Sequence, residues 1–144
     1  MQFIRTCIAA LLLLFATLFI GCSKPEAPPT VAAEPEVSSR TEFTDRIENY
    51  FEYEPFRSGK ASQIRIHLTD LSDGSPVAQA QVTLAMHAKG SPGAVVQTTS
   101  RIGKVAGIYV AEITPPRPGD YDLEFHIRND RLDERLPLSN FKVE

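Results

Sequence analysis

Few side chains in this sequence could bind a ligand or catalyse a reaction. The histidines are His67, His87 and His126, and the cysteines are Cys7 and Cys22. Neutral imidazole combined with carboxylate is a common ligand set for Zn²⁺ and similar divalent ions. A cysteine thiol can act as a nucleophile or carry a covalent lipid. Which of these roles a residue can take depends on the strand or segment in which it lies.

The histidines and one carboxylate are candidates for a metal site. His126 and Glu124 alternate with apolar residues, so both fall on the polar face of one predicted strand. His87 lies on the polar face of a second strand, which in a β-sandwich could share a sheet with the first. His67 lies on a third polar face, where it could contact a ligand or a partner, or could form a hydrogen bond to a neighbouring strand or to Asp70. The sequence has no HxxxH or CxxC spacing, so exposed histidines without a ligand are the alternative. The predicted ligands of a divalent ion are His67, His87, His126 and Glu124.

Motifs that identify enzymes are missing from the sequence. It has no GxSxG nucleophile elbow, no glycine-rich phosphate loop and no HExxH. We therefore expect no catalytic activity. The formal net charge of −3 and the pI of about 5.6 provide no basic surface, so we expect no nucleic-acid partner.

The first 22 residues have the pattern of an export signal. Arg5 precedes an apolar run from Ile8 to Ile20. As a helix this run would span roughly 20 Å at about 1.5 Å per residue, which is short of the ~30 Å hydrocarbon core of a membrane. A cleaved secretory signal fits this length better than a transmembrane helix.

The end of the signal points to a lipid anchor. Gly21 and Cys22 resemble the lipobox of bacterial lipoproteins, with Phe19 where leucine is usual. The resemblance implies a signal peptide over residues 1–21, cleavage after Gly21 and lipidation of Cys22. Because each buried CH₂ contributes about 0.8 kcal/mol, several acyl chains would hold the protein on a membrane. The implied location is the periplasm-facing cell envelope, and Ser23 favours the outer membrane. A secreted protein cut at another site is the alternative.

Residues 22–41 read as a tether. They contain four prolines among Ala, Glu, Ser and Val and show no apolar periodicity. Pro-rich chain extends about 3.1 Å per residue, so the segment could hold a domain up to roughly 60 Å from the membrane. A disordered leader without a spacing role is the alternative. With Cys7 in the removed segment and Cys22 lipidated, no disulfide is expected in the remaining domain, residues 42–144.

Residues 42–144 alternate between apolar and polar side chains with a period of two. This alternation is typical of strands with one buried and one solvated face. Turn sequences such as DGSP at 73–76 and GSPG at 90–93 separate the runs. The segment 43–53 fits either a helix or a strand, and we favour a strand. The other predicted strands lie near residues 63–69, 78–86, 95–99, 107–113, 121–127 and 136–143.

Two local patterns refine the fold. Tyr121 follows a turn, as does the tyrosine corner of immunoglobulin-like domains, whose hydroxyl bonds back to the preceding loop. In the last strand Pro137 cannot donate a ladder hydrogen bond and the apolar phase slips between Leu138 and Phe141, which predicts an edge strand or a bulge. The sequence therefore predicts an all-β fold, an immunoglobulin-like antiparallel β-sandwich of about seven strands.

A more specific resemblance covers nearly the whole predicted domain. Its residues are FEYEPF at 51–56, IRIHLTDL at 64–71, GIY at 107–109 and PGDY at 118–121. They resemble the sandwich module at the amino terminus of periplasmic adaptor subunits of RND-type metal-efflux pumps, and are similar to small FixH/YtkA-like envelope domains. These motifs are largely turn and core residues, so they are stronger evidence for the fold than for an activity.

The resemblance implies a function in contact with other proteins. The expected role is a membrane-tethered, non-catalytic interaction module, accessory to a metal-efflux or metal-homeostasis system, with efflux-pump or other envelope proteins as partners. Direct periplasmic binding of a divalent or heavy-metal ion is the alternative. The adaptors continue into further domains, whereas this sequence stops at Glu144. A stand-alone relative, a split gene and a truncated reading frame all stay open.

Overall fold

The computed structural model describes residues 36–144, which form two antiparallel sheets and no helix. The predicted signal peptide, Cys22 and most of the predicted tether lie outside these residues. The fold is an immunoglobulin-like β-sandwich, as predicted, with nine strands where about seven were expected. The strands are β1 (Ser38–Phe43), β2 (Ile47–Tyr53), β3 (Ser62–Asp70), β4 (Gln81–Ala88), β5 (Ala94–Thr99), β6 (Arg101–Ile102), β7 (Ile108–Ile113), β8 (Gly119–Arg128) and β9 (Asp133–Val143).

The strand order follows the immunoglobulin-like pattern. The first sheet has the order β1-β2-β3-β7-β6, and the second has the order β5-β4-β8-β9. The chain leaves β2 and crosses towards the second sheet, where Phe56 forms a parallel bridge with Val143 of β9. β1, β2 and β3 follow one another within the first sheet, and from β3 onward the connections alternate between crossings to the other sheet and hairpins within a sheet.

The folded domain begins earlier than the predicted boundary at residue 42. β1 pairs along its full length with β2, from Ser38 opposite Tyr53 to Phe43 opposite Glu48. Its side chains are exposed or half-buried, so the strand lacks the apolar alternation that would reveal it in a sequence. The segment 43–53, favoured as a strand, forms the end of β1, a turn and β2.

The core lies between the sheets and is built from alternate residues of each strand. On β3, Ile64, Ile66 and Leu68 point inward, as the alternation predicts. Met86 of β4 is fully buried and also points inward, where methionine commonly fills gaps in a core. Aromatic rings join the layers: the ring centroids of Phe51 and Phe125 lie 5.0 Å apart.

Two tyrosine hydroxyls fix loops to this core. Tyr121 donates to the carbonyl of Arg117 at 2.8 Å, which confirms the predicted tyrosine corner. Tyr109 is fully buried, and its hydroxyl donates to the carbonyl of Val77 at 2.7 Å while accepting the N–H of Ala80 at 2.9 Å. That hydroxyl satisfies two backbone groups where the chain crosses from β3 to β4.

The last strand is an edge strand and also contains a bulge, the two features that the sequence offered as alternatives. β9 is the edge of its sheet. Its register with β8 shifts, since Tyr121 lies opposite Phe141 whereas Leu123 lies opposite Leu138. Two residues of β9 thus face one of β8, and Asn140, with φ of 70°, occupies the left-handed conformation at this bulge. The bulge explains the phase slip in the sequence.

Replacing Tyr109 with phenylalanine should destabilise the domain by about 1–3 kcal/mol, because the carbonyl of Val77 and the N–H of Ala80 would be buried without partners. Urea unfolding of Tyr109→Phe against the parent protein measures the loss. Tyr50→Phe is the matched control, since the Tyr50 hydroxyl bonds Glu52 on a half-buried outer face. Equal stability of the two variants would contradict the assigned role of the Tyr109 hydroxyl.

Candidate functional site

Two of the three predicted histidine ligands share a sheet but lie far apart along it. His87 on β4 and His126 on β8 both point to the outer face of the second sheet, as predicted. The register places His126 opposite Thr83, and His87 opposite Asp122. The two histidines are therefore four residues apart along the strands, or about 13 Å at roughly 3.3 Å per residue. One ion cannot bind both, because Zn–N bonds are about 2 Å long.

His67 belongs to the other sheet. It lies on β3 between Tyr50 and Ile108, with its ring edge-on to the Tyr50 ring at a centroid distance of 5.4 Å. Its Nε2 is buried and has no hydrogen-bond partner within residues 36–144. Asp70 accepts bonds from Ser72 and does not contact this imidazole. The imidazole of His67 thus packs against Tyr50 of the neighbouring strand, while its Nε2 forms neither of the hydrogen bonds, to a neighbouring strand or to Asp70, that its sequence position allowed.

The outer face of β8 and β9 carries two polar pairs, each of which joins one strand diagonally to the other. Nε2 of His126 lies 2.6 Å from Oδ1 of Asp133, and the Arg135 guanidinium donates to Oε1 of Glu124 at 2.7 Å. The hydrogen bond from His126 holds the pKa of the Asp133 carboxyl below its ordinary value. Glu124 and His126 are therefore each paired within the hairpin, and both pairs lie at the surface, where ion pairs contribute little to stability.

The structure does not bring the four predicted ligands together. No group of three or more His, Cys, Asp or Glu side chains in the described part of the chain is arranged to hold a metal ion. Asp133 was not singled out from the sequence. The turn between β8 and β9 could have pointed to it, because a tight hairpin places the start of β9 beside the end of β8.

One end of the sandwich carries four of the loops and most of the exposed large apolar side chains. The β1–β2 turn, the β3–β4 loop, the β6–β7 turn and the β8–β9 turn all lie at this end, since the antiparallel registers align their strands. We call it the loop end. Of the six exposed large apolar residues in the described chain, four belong to it: Phe43, Leu71, Ile102 and Val105.

Hydrogen bonds join these loops into one surface. The N–H of Leu71 donates to the carbonyl of Arg46, whose guanidinium donates to the carbonyl of Arg131 in the β8–β9 turn at 2.9 Å. The Asn129 side chain donates to the carbonyl of Ala78 at 3.3 Å. The loops of both sheets are thus held in fixed relation. The exposed apolar side chains are spread along this end, with Phe43 on the edge strand β1 and Ile102 on the opposite edge strand β6 of the first sheet.

A glycine fixes the β6–β7 turn beside a shallow cleft. Gly107 has φ of 78°, and a Cβ at this position would lie 2.7 Å from the Pro76 side chain and 2.9 Å from the carbonyl oxygen of Leu68. Only glycine fits this close approach without strain. The cleft beside it is lined by His67, Leu68, Thr69, Gly74, Pro76, Val105, Ala106, Gly107 and Ile108.

The comparisons with known proteins do not assign the chain to a family. No protein-family model, curated protein or solved structure matches it. No helix within residues 36–144 has the length and apolar character needed to cross a membrane.

Acid should weaken the folded state through Asp133. Its depressed pKa means that the folded state favours the carboxylate, so the contribution is present above about pH 4, the ordinary aspartate range, and is lost as the pH falls through the folded-state pKa. His126→Gln should move the pKa of Asp133 upward towards its ordinary value. Carboxyl chemical shifts followed by NMR during acid titration measure both values. An unchanged Asp133 midpoint in the variant would remove His126 as the cause.

Proposed function

We propose that this protein is a lipid-anchored, non-catalytic interaction module of the bacterial cell envelope. Its loop end docks on another envelope protein, and a metal-efflux or metal-homeostasis complex is the first partner to test. The observation that carries the proposal is the concentration of exposed Phe43, Leu71, Ile102 and Val105 at the end where the loops of both sheets meet. The choice of partner rests on the resemblance of the sequence to the sandwich module of metal-efflux adaptors.

The chemistry of the loop end favours protein contact. Charged residues of both signs belong to the same turns as its apolar residues, among them Asp45 and Arg46 between β1 and β2 and Lys104 between β6 and β7. Protein interfaces combine apolar residues with polar ones at their rim, and this end of the sandwich offers residues of both kinds. Because hydrogen bonds already join the loops, docking would cost little ordering entropy.

The lipid anchor would set where docking takes place. Lipidation of Cys22 would confine the domain to a membrane surface, with the segment up to Ser38 as the connection. Confinement raises the effective concentration of the domain near membrane partners, so even a modest contact area could be occupied.

Photo-crosslinking in intact cells tests the docking surface. The full chain carries p-benzoylphenylalanine either at Val105 in the loop end or at Val37, which has a similar exposed fraction, 55% against 61%, beyond the other end of β1. We expect a discrete adduct from position 105 that contains an efflux or metal-homeostasis protein, and loss of this adduct with Leu71→Glu. Equal adducts from both positions would show that the loop end is not a specific docking surface.

Fractionation tests the anchor separately. Cys22→Ala should move the protein from the membrane to the soluble periplasmic fraction, because the site of acylation is gone. Cys7→Ala is the matched control and should leave the distribution unchanged, since Cys7 lies in the predicted signal peptide. Mass spectrometry of the parent protein should find an acylated amino-terminal Cys22. An uncut leader with a free Cys22 thiol would exclude the anchor.

A further inference from the structure

Four strands end the two sheets, and three of them carry features that discourage pairing with another chain. β9 has charged residues, Pro137 and a bulge, and β6 is only two residues long. β1 carries Arg40 and Glu42, which form an ion pair with each other. Charges, proline, bulges and short length are the means by which natural sheets protect their edges.

β5 lacks most of this protection. No charged residue occurs from Gly90 to Ser100, and β5 itself, AVVQTT, contains neither proline nor glycine. Four of its six residues are β-branched, which favours extended pairing. A bulge at Val95 is its one irregularity, since Met86 pairs with Val96 whereas His87 pairs with Ala94. The segment from Val96 onward is regular.

The register shows which backbone groups of β5 are open. The N–H of Ser100 donates to the carbonyl of Val82 at 2.8 Å, so this pair belongs to the hydrogen-bonded positions of the β4–β5 ladder. Hydrogen-bonded and non-bonded positions alternate in antiparallel strands. Thr98 therefore bonds to β4, whereas Gln97 and Thr99 turn their N–H and C=O groups to the free side. Both residues are exposed.

These groups are complementary to themselves. When a second β5 approaches antiparallel about a two-fold axis at Thr98, Gln97 of each copy lies opposite Thr99 of the other. Each of these two pairs exchanges two N–H···O bonds, so four hydrogen bonds form without strain in the regular part of the strand. Opposing outer-face side chains are then Gln and Thr, which carry no charge and do not repel.

We propose that β5 is a self-association edge, through which two copies of this chain join their four-stranded sheets antiparallel about Thr98. The contact covers few residues on each side, well below the roughly 800 Å² per partner of a standard stable interface, so the dimer is weak and depends on local concentration. The inference rests on the β5 edge alone and is independent of the partner proposed for the loop end.

Cysteine trapping tests the pairing and its register. In the proposed dimer the two Thr98 Cα atoms form a non-hydrogen-bonded pair about 4.5 Å apart, within disulfide reach. The full chain with Thr98→Cys, purified in mild detergent and mildly oxidised, should give a reducible dimer on gels. Ser139→Cys, on the edge strand β9, is the matched control, and the parent chain measures the background from Cys7 and Cys22. Dimer yields equal to these controls would overturn the proposal.

Charge variants then separate edge pairing from chance collision. Adding Gln97→Lys and Thr99→Lys to Thr98→Cys places like charges opposite each other twice, which should lower the dimer yield roughly fivefold or more. The combination Gln97→Lys with Thr99→Glu places opposite charges in the same positions and should restore it. Circular dichroism checks that each variant is folded. If the folded Lys/Lys variant cross-links as well as the Lys/Glu variant, the register and the proposal are wrong.

Discussion

The two sheets are held together by apolar contact between alternate side chains, and no covalent link assists them. Both cysteines precede residue 36, so the described domain has no disulfide. Its stability therefore depends on complete burial of the inward rows, where Phe51 packs against Phe125 and Tyr109 is fully enclosed. Because core packing is dense, a polar group inside must find a partner or lower the stability. The Tyr109 hydroxyl meets this condition with two bonds, while the side-chain amide of Asn49 has no partner within residues 36–144.

This dependence explains how much of the fold could be predicted from the sequence. Strands with one buried face, such as β3 and β8, reveal themselves through alternation, and the bulge of β9 reveals itself as a slip in that alternation. β1 has no such signal, since Arg40 and Glu42 occupy its inward positions opposite Phe51 and Asn49. The Arg40 guanidinium donates to the carbonyl of Ser139 at 3.0 Å and lies 4.8 Å from the Phe141 ring centroid. Arg40 covers the space between β1 and β9, but a charged residue in a Pro-rich segment gives no sequence signal that distinguishes a strand from a solvated tether.

The predicted ligand set shows a different limit. Alternation correctly placed His87, His126 and Glu124 on one outer face, because it reports the face of a strand on which a residue lies. It does not report the register between strands, which is set by loop lengths and by packing over the whole domain. His87 and His126 lie four residues apart along the strands. In the hairpin, Asp133 pairs with His126 and Arg135 pairs with Glu124. The chemistry of a sheet surface thus depends on a quantity that a single sequence does not contain.

The described surfaces differ in how far their own groups satisfy one another. On the outer face of β8 and β9, His126 is paired with Asp133 and Glu124 with Arg135, so these groups are less available to a small ligand. The loop end differs, because its backbone bonds are satisfied between loops while its apolar side chains stay exposed. At the β5 edge the unsatisfied groups belong to the backbone. Its side chains are neutral, while Gln97 and Thr99 have backbone N–H and C=O groups without a partner strand in the described domain. A surface with unburied apolar groups and one with unpaired backbone groups both gain free energy chiefly from another protein chain.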